Sequence, residues 1–194
     1  MFTPLLGILA SSISGSKAVT NDYFSIATVS VGSGGSSTIT FSSIPGTYTH
    51  LQVRAFAKSD ATTSTYGYCK IQFNSDTGSN YAFHVLKGEN SAVYSQGYAS
   101  QTSIQAIETP HSHSNYANIF SAGVFDILDY ASTNKYKTTR DLSGVDTNSS
   151  TVDYGVGLRS GLWMSTSAIT SITFTPTFGG FAQYSHFALY GIKS

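Results

Sequence analysis

The sequence predicts an all-β protein: an antiparallel β-sandwich of jelly-roll type with an extended N-terminal arm. Short runs of alternating apolar and polar residues recur from residue 23 onward, each ended by Gly, Pro, Asn or Ser. More than a quarter of the residues are Ser or Thr, 18 are Gly, and Leu, Glu and Lys are scarce, which disfavours helices and favours strands and turns. A length of 194 residues with 40% apolar content fits one core, and no linker divides the runs.

The strands are expected in this order. YFSIATVSV (23–31) stops at the turn GSGGSS, and STITF (37–41) follows. After Ile44-Pro45-Gly46 comes THLQVRAFAK (49–58), with Leu51, Val53 and Ala55 on one face and Gln52, Arg54 and Phe56 on the other. YCKIQF (68–73) and YAFHVL (81–86) come next, joined by NSDTGSN, which reads as a hairpin turn. Residues 88–118 lack sustained alternation and read as one or two long loops around a short strand at 103–107. NIFSAGVFDILDY (118–130), KYKTTRDLSG (135–144), VDYGVGLRSGLWM (152–164) and ITSITFTPT (169–177) restore the pattern. The last run, YSHFALYGI (184–192), is apolar on both faces, so it should be covered on both sides, by this chain or by a neighbour. The expected division is an apolar arm over 1–22 and a sandwich domain over 23–194.

Ten cationic and ten anionic side chains give no net charge, so no field directs the protein to nucleic acid. Little charge also means little repulsion between copies, which suits a protein packed beside others. Cys69 is the only cysteine and shares a strand face with Ile71 and Phe73, so it reads as a small core residue. In HSHSNY the alternate spacing of His111 and His113 would aim both rings one way, with Glu108 as a candidate third ligand, but a metal site needs its third and fourth donors held rigidly, nothing else nearby is distinctive, and no metal or cofactor is expected. NSDTGSN resembles a calcium turn in its oxygen content, yet lacks the bidentate acid that would close one. Asp126 and Asp129 fall on opposite faces of their run, which is poor geometry for a carboxylate pair, and neither a nucleophile elbow nor a phosphate loop occurs. No catalytic residue is assigned. Tyr94, Tyr98 and Tyr116, with His111 and His113, form a candidate ligand loop that could stack on a host glycan or meet a protein partner.

IPGTYTHLQVR, KIQFNSDTGSNY, DILDYASTNKYKT and, above all, ITSITFTPTFGGFAQYSHFALYGIK resemble small virion proteins of tailed bacteriophages, capsid-associated or tail-fibre-like. The resemblance runs over nearly the whole chain, including its apolar start. It implies a non-enzymatic structural protein at the particle surface, a decoration or cement protein on the shell, whose partners are other virion proteins such as the major capsid protein. It also implies self-association, with a trimer expected by analogy. The alternative is a tail-fibre or receptor-binding domain whose Tyr and His loops meet host glycan.

The opening stretch MFTPLLGILASSISGSKA is read in that light. Its only early charge, Lys17, follows the apolar run, whereas a secretion signal has a basic start. The run is interrupted by Thr3, Pro4 and Gly7 and falls far short of the ~20 residues that cross a bilayer. No membrane partner is expected. Phe2, Pro4, Leu5, Leu6, Ile8 and Leu9 are instead expected to dock on another virion protein, the alternative being a segment that closes the chain's own sandwich.

Binding of an ion to a native protein adds to its stability, so dependence on a metal has a thermal signature. Chelator should leave the melting temperature unchanged, and His111→Ala with His113→Ala should leave particle binding intact. A drop reversed by one metal and abolished in the double variant would make HSHSNY a metal site.

Overall fold

The computed structural model describes residues 22–62, 67–89, 91–110, 118–146 and 155–193, and these form twelve strands with no helix among them. In chain order they are β1 (Tyr23–Ser30), β2 (Ile39–Phe41), β3 (His50–Ala57), β4 (Gly67–Phe73), β5 (Tyr81–Glu89) and β6 (Ala92–Gln101). There follow β7 (Ile104–Thr109), β8 (Ser121–Ile127), β9 (Lys137–Val145), β10 (Gly155–Trp163), β11 (Ile172–Pro176) and β12 (His186–Ile192). The expected arm residues Phe2, Pro4, Leu5, Leu6, Ile8 and Leu9 lie outside the described residues.

All pairings are antiparallel. They make an eight-stranded sheet in the order β1-β12-β3-β8-β9-β10-β5-β6 and a four-stranded sheet in the order β2-β11-β4-β7. The core fills the space between them. From the large sheet come Leu51 and Val53 of β3, Phe125 and Ile127 of β8, and Phe187 and Leu189 of β12; from the small sheet come Phe41, Cys69, Ile71, Phe73, Ile172 and Phe174. Phe174 sits at the centre, with the rings of Phe41, Phe125 and Phe187 within 6.4 Å of its own. Cys69 is fully buried, and burial with the nearby Asp141 and Glu108 charges pushes its thiol well above the ordinary value.

Three elements depart from the sequence reading. The stretch assigned to loops contains β6, a ten-residue edge strand paired with β5. Its side chains are almost all exposed because it extends beyond the small sheet, so burial imposes no alternation on it. Residues 74–80 do not close a hairpin, since β4 belongs to the small sheet and β5 to the large one. They carry the chain across the sandwich, and Asp76 holds that corner by accepting hydrogen bonds from Trp163 Nε1 at 2.7 Å, Asn80 Nδ2 at 3.0 Å and Gly78 N at 2.9 Å. The run at 118–130 yields a shorter strand, β8, before a turn fixed by the hydroxyl of Tyr130 on the Pro45 carbonyl.

The closing strand β12 is covered by this chain on its inner side, and on its outer side His186, Tyr190 and Ile192 stay partly exposed. Phe187 and Leu189 face the core, while on the outer side Ala188 is buried and the Arg54 guanidinium lies 5.2 Å from the centre of the Tyr190 ring. Leu189 occupies a closed site between β1 and β3. Leu189→Ala should therefore cost about 2–5 kcal/mol, read as a shift in denaturation midpoint at unchanged slope. Wild-type stability would show that β12 is peripheral to the fold.

Candidate functional site

Two features of the described residues go beyond simple core packing. The first is an ionic cluster enclosed between the sheets. Asp141 of β9 and Arg159 of β10 are directly opposite each other on the inner face of the large sheet, and Glu108 meets them from β7 of the small sheet. Arg159 is 4% exposed and both carboxylates 1%. One guanidinium nitrogen, Nη1, donates to Asp141 Oδ2 at 3.0 Å and to Ser143 Oγ at 3.2 Å, and the other, Nη2, donates to Glu108 Oε1. Gly157 makes room for it, because a Cβ there would come within 2.7 Å of Arg159 Nη1.

The local backbone explains how an acid enters the core. A bulge in β7 at Ile107 (φ 47°), opposite the Tyr68–Cys69 step of β4, interrupts its alternation, and Ala106, Ile107, Glu108 and Thr109 are buried in succession. The irregular backbone is stabilised by the same cluster: Ile107 N donates to Asp141 Oδ2 at 3.1 Å and Glu108 N to Ser143 Oγ at 3.3 Å. Burial pushes the Asp141 carboxyl up to about 6, against the opposing pull of Arg159 and of these donors. Burial alone would lower Arg159, but Glu108 and Asp141 outweigh it and hold the guanidinium above its ordinary value. Two acids closed off beside one base are arranged to tie the sheets together.

The second feature is the outer face of the eight-stranded sheet, where register aligns side chains in rows. One row reads Ala188, Arg54, Val124, Leu142, Leu158, Leu86 and Ser95 across seven adjacent strands. The next reads His186, Phe56, Ala122, Gly144, Val156, Gly88 and Val93. Phe56 is 58% exposed, Leu142 55% and Leu86 51%. A depression of about 520 Å³ lies over Ala122, Gly144 and Ala188, walled by Phe56, Leu142 and Tyr190. Another of about 490 Å³ lies over Ser95, Gly97 and Ser160, between His84 and Leu158. The opposite surface, outside the small sheet, instead carries Thr40, Thr173 and Gln72 in one row and Thr175 and Lys70 in the next.

The ligand-loop residues of the sequence reading do not form a described loop. Tyr94 and Tyr98 lie on β6, opposite Lys87 and Phe83, and so share the inner face of that strand. Tyr98 stacks on Phe83 with ring centres 4.6 Å apart and donates to Gln96 Oε1 at 2.8 Å, while Tyr94 remains exposed. Tyr116, His111 and His113 fall outside the described residues. Asp126 pairs with Arg140 at 2.8 Å and accepts from Gln52 at the same distance, on the outer face of the sheet. Among the described residues no three His, Cys, Asp or Glu side chains are grouped so as to hold a metal ion. Sequence reasoning missed both principal features. Leu86, Leu142 and Leu158 occupied the polar phase of their strands and could have signalled the outer face, whereas the ionic cluster brings together residues of three strands from two sheets, a meeting that leaves no local mark.

No protein family, curated protein or solved structure matches the chain.

The Asp141 carboxyl makes the cluster pH-sensitive. A carboxyl raised in the folded state contributes stability fully below its unfolded value, about 3.9, and loses that contribution as pH climbs through its folded value. Relative to Asp141→Asn, the wild-type protein should therefore lose unfolding free energy between about pH 4 and pH 7, measured by urea denaturation at successive pH values. Parallel curves for the two proteins would show that the Asp141 carboxyl is not raised in the folded state.

Proposed function

We propose that the protein is a non-enzymatic structural component of a tailed phage particle, a decoration or cement protein bound to the outside of the capsid shell through other virion proteins. The observation that carries the proposal is the strand order. With β5, β6, β9 and β10 set aside, β1-β12-β3-β8 faces β2-β11-β4-β7, and the chain passes between the two sheets repeatedly in the manner of a jelly roll. The four remaining strands form two hairpin additions that widen one sheet. Jelly rolls are a recurrent architecture of viral capsid proteins as well as lectins. This step rests on fold-level analogy, joined to the sequence resemblance over nearly the whole chain.

Two further observations favour the proposal. The surface is poor in charge, and a broad apolar face is exposed on the large sheet, as suits a protein that works in contact with others. The apolar segment with Phe2, Pro4, Leu5, Leu6, Ile8 and Leu9 precedes a domain whose first strand starts at Tyr23, which leaves it suited to docking on the shell. The tail-fibre alternative draws on exposed Tyr94, but Tyr98 is engaged by Phe83 and Gln96 and makes a weaker glycan platform.

Two measurements test this. A chain starting at Ala18 should melt cooperatively and lose binding to particles; loss of cooperative melting would place the arm in the sandwich, and full binding would place docking elsewhere. In a particle reconstruction, density for the protein should recur regularly over the shell, and restriction to the tail would overturn the decoration reading.

A further inference from the structure

We propose that the outer face of the eight-stranded sheet is where two copies of this chain associate, sheet against sheet, with the row Val124, Leu142, Leu158 and Leu86 at the centre of the contact. The inference deepens the proposed structural role, which calls for self-association, by naming the surface and its partner.

The four aliphatic side chains are immediate neighbours on four adjacent strands: Val124 opposes Leu142, Leu142 opposes Leu158, and Leu158 opposes Leu86. They form a continuous exposed strip, with Phe56, Val156 and Val93 in the row beside it. Such a strip on the outside of a sheet reverses the usual pattern, in which the face away from the core is polar. The small sheet follows the usual pattern, with Thr40, Thr173 and Gln72 outward. The contrast assigns the unusual face a partner.

Size and charge point to a second copy. A third row runs from Tyr190 through Gln52, Asp126, Arg140 and Ser160 to His84 and Gly97, and seven strands spaced about 4.8 Å apart with three rows about 7 Å apart cover on the order of 700 Å². A stable interface buries roughly 800 Å² per partner, so the face nearly suffices by itself. Sheets pack well against sheets, with side chains interdigitating across about 10 Å. Here Leu142 and Leu158 stand between the two depressions, giving the relief that interdigitation needs. One charge pair within the three rows is closed on the same chain, Asp126 with Arg140, and the one remaining full charge, Arg54, sits toward the β12 end of its row, held by Gln52 at 2.9 Å and the Tyr190 ring. Two such faces therefore meet without strong repulsion. An anionic bilayer would call for a cationic rim, which these rows do not supply.

The test is the mass of the full-length protein in solution by sedimentation equilibrium at tens of micromolar. The expected result is twice the chain mass, falling to the single-chain mass in Leu142→Lys with Leu158→Lys, while Thr173→Lys on the opposite sheet leaves the pair intact. Both leucines are substantially exposed, so the double variant should keep its melting temperature. A second readout does not depend on that variant folding. Because Cys69 is the only cysteine and is buried, Leu142→Cys supplies the single accessible thiol, and mild oxidation should give a disulfide-linked pair that Thr173→Cys does not. A single-chain mass for the wild type would overturn the proposal. So would pairing that survives the double lysine change without cross-linking at position 142. A wild-type monomer that pairs only when started at Ala18 would identify the occupant as the chain's own N-terminal segment. A trimer, the assembly the resemblance implies, would overturn face-to-face pairing yet leave the structural-protein reading standing, and that reading fails separately, in the particle reconstruction.

Discussion

Arg159 reaches from the large sheet into the space shared with the small one, and much of the local geometry follows from satisfying it. Its guanidinium needs acceptors, and water is excluded. Asp141 supplies one from the neighbouring strand and Glu108 another from the opposite sheet. Glu108 comes from the bulged stretch of β7, where the N–H groups of Ile107 and Glu108 are turned to Asp141 and Ser143 as acceptors. Buried ions of this kind add little net stability, because desolvation costs several kcal/mol per ion. Their effect is on uniqueness. A slip of β9 or β10 by one residue would turn Asp141 or Arg159 outward and strand its partner in the core, so the cluster selects one register among those the aliphatic residues alone would tolerate. Burial, only partly offset by Arg159 and the hydrogen-bond donors around it, drives Asp141 toward its neutral form.

The mismatch between eight strands and four has its own consequences. A small sheet can cover only part of a large one, so the additions β9-β10 and β5-β6 need other ways to hold their inner faces. Part of the solution is aromatic: Tyr81 and Trp163 pack with Phe73 at the sandwich end, and Tyr98 folds over Phe83 where cover runs out. Part is polar, since Lys87 of β5 is buried and paired with Glu89 at 2.9 Å. The edge strand β6 has no neighbour on its far side among the described residues and carries neither charge nor proline, the usual protections of a free edge.

The alternating runs revealed ten of the twelve strands, because nearly every one buries one face and leaves the other outside, the condition under which a period of two is written into a sequence. Leu51, Val53 and Ala55 against Arg54 and Phe56 show it plainly, and so do Cys69, Ile71 and Phe73 against Lys70. The short strand expected at 103–107 is β7, which starts one residue later and ends two residues later. Strand β6 was hidden because hydrogen bonds to β5, and not burial, define it. Which strands share a sheet was equally hidden: nothing in NSDTGSN distinguishes a hairpin from a crossing between sheets, since both need the same turn residues. Of the site, individual residues were legible but not their meeting. Glu108 seemed a neighbour of His111 and His113, whereas β7 turns it toward Arg159, fifty-one positions further along the chain.

Neutral charge and an apolar outer face are two parts of one physical arrangement. A sheet with leucines at 86, 142 and 158 facing out gains from removing that surface from water, and every like-charged side chain added around it would oppose the approach of an identical copy. The chain has few such side chains, and on this face Asp126 is matched by Arg140 while Arg54 is held over the Tyr190 ring, away from the central leucines. The same economy leaves little to keep unassembled copies apart at high concentration. Selectivity must then come from shape and register: the straight row across β8, β9, β10 and β5, the depressions on either side of it, and a second sheet whose outer surface is too polar to compete.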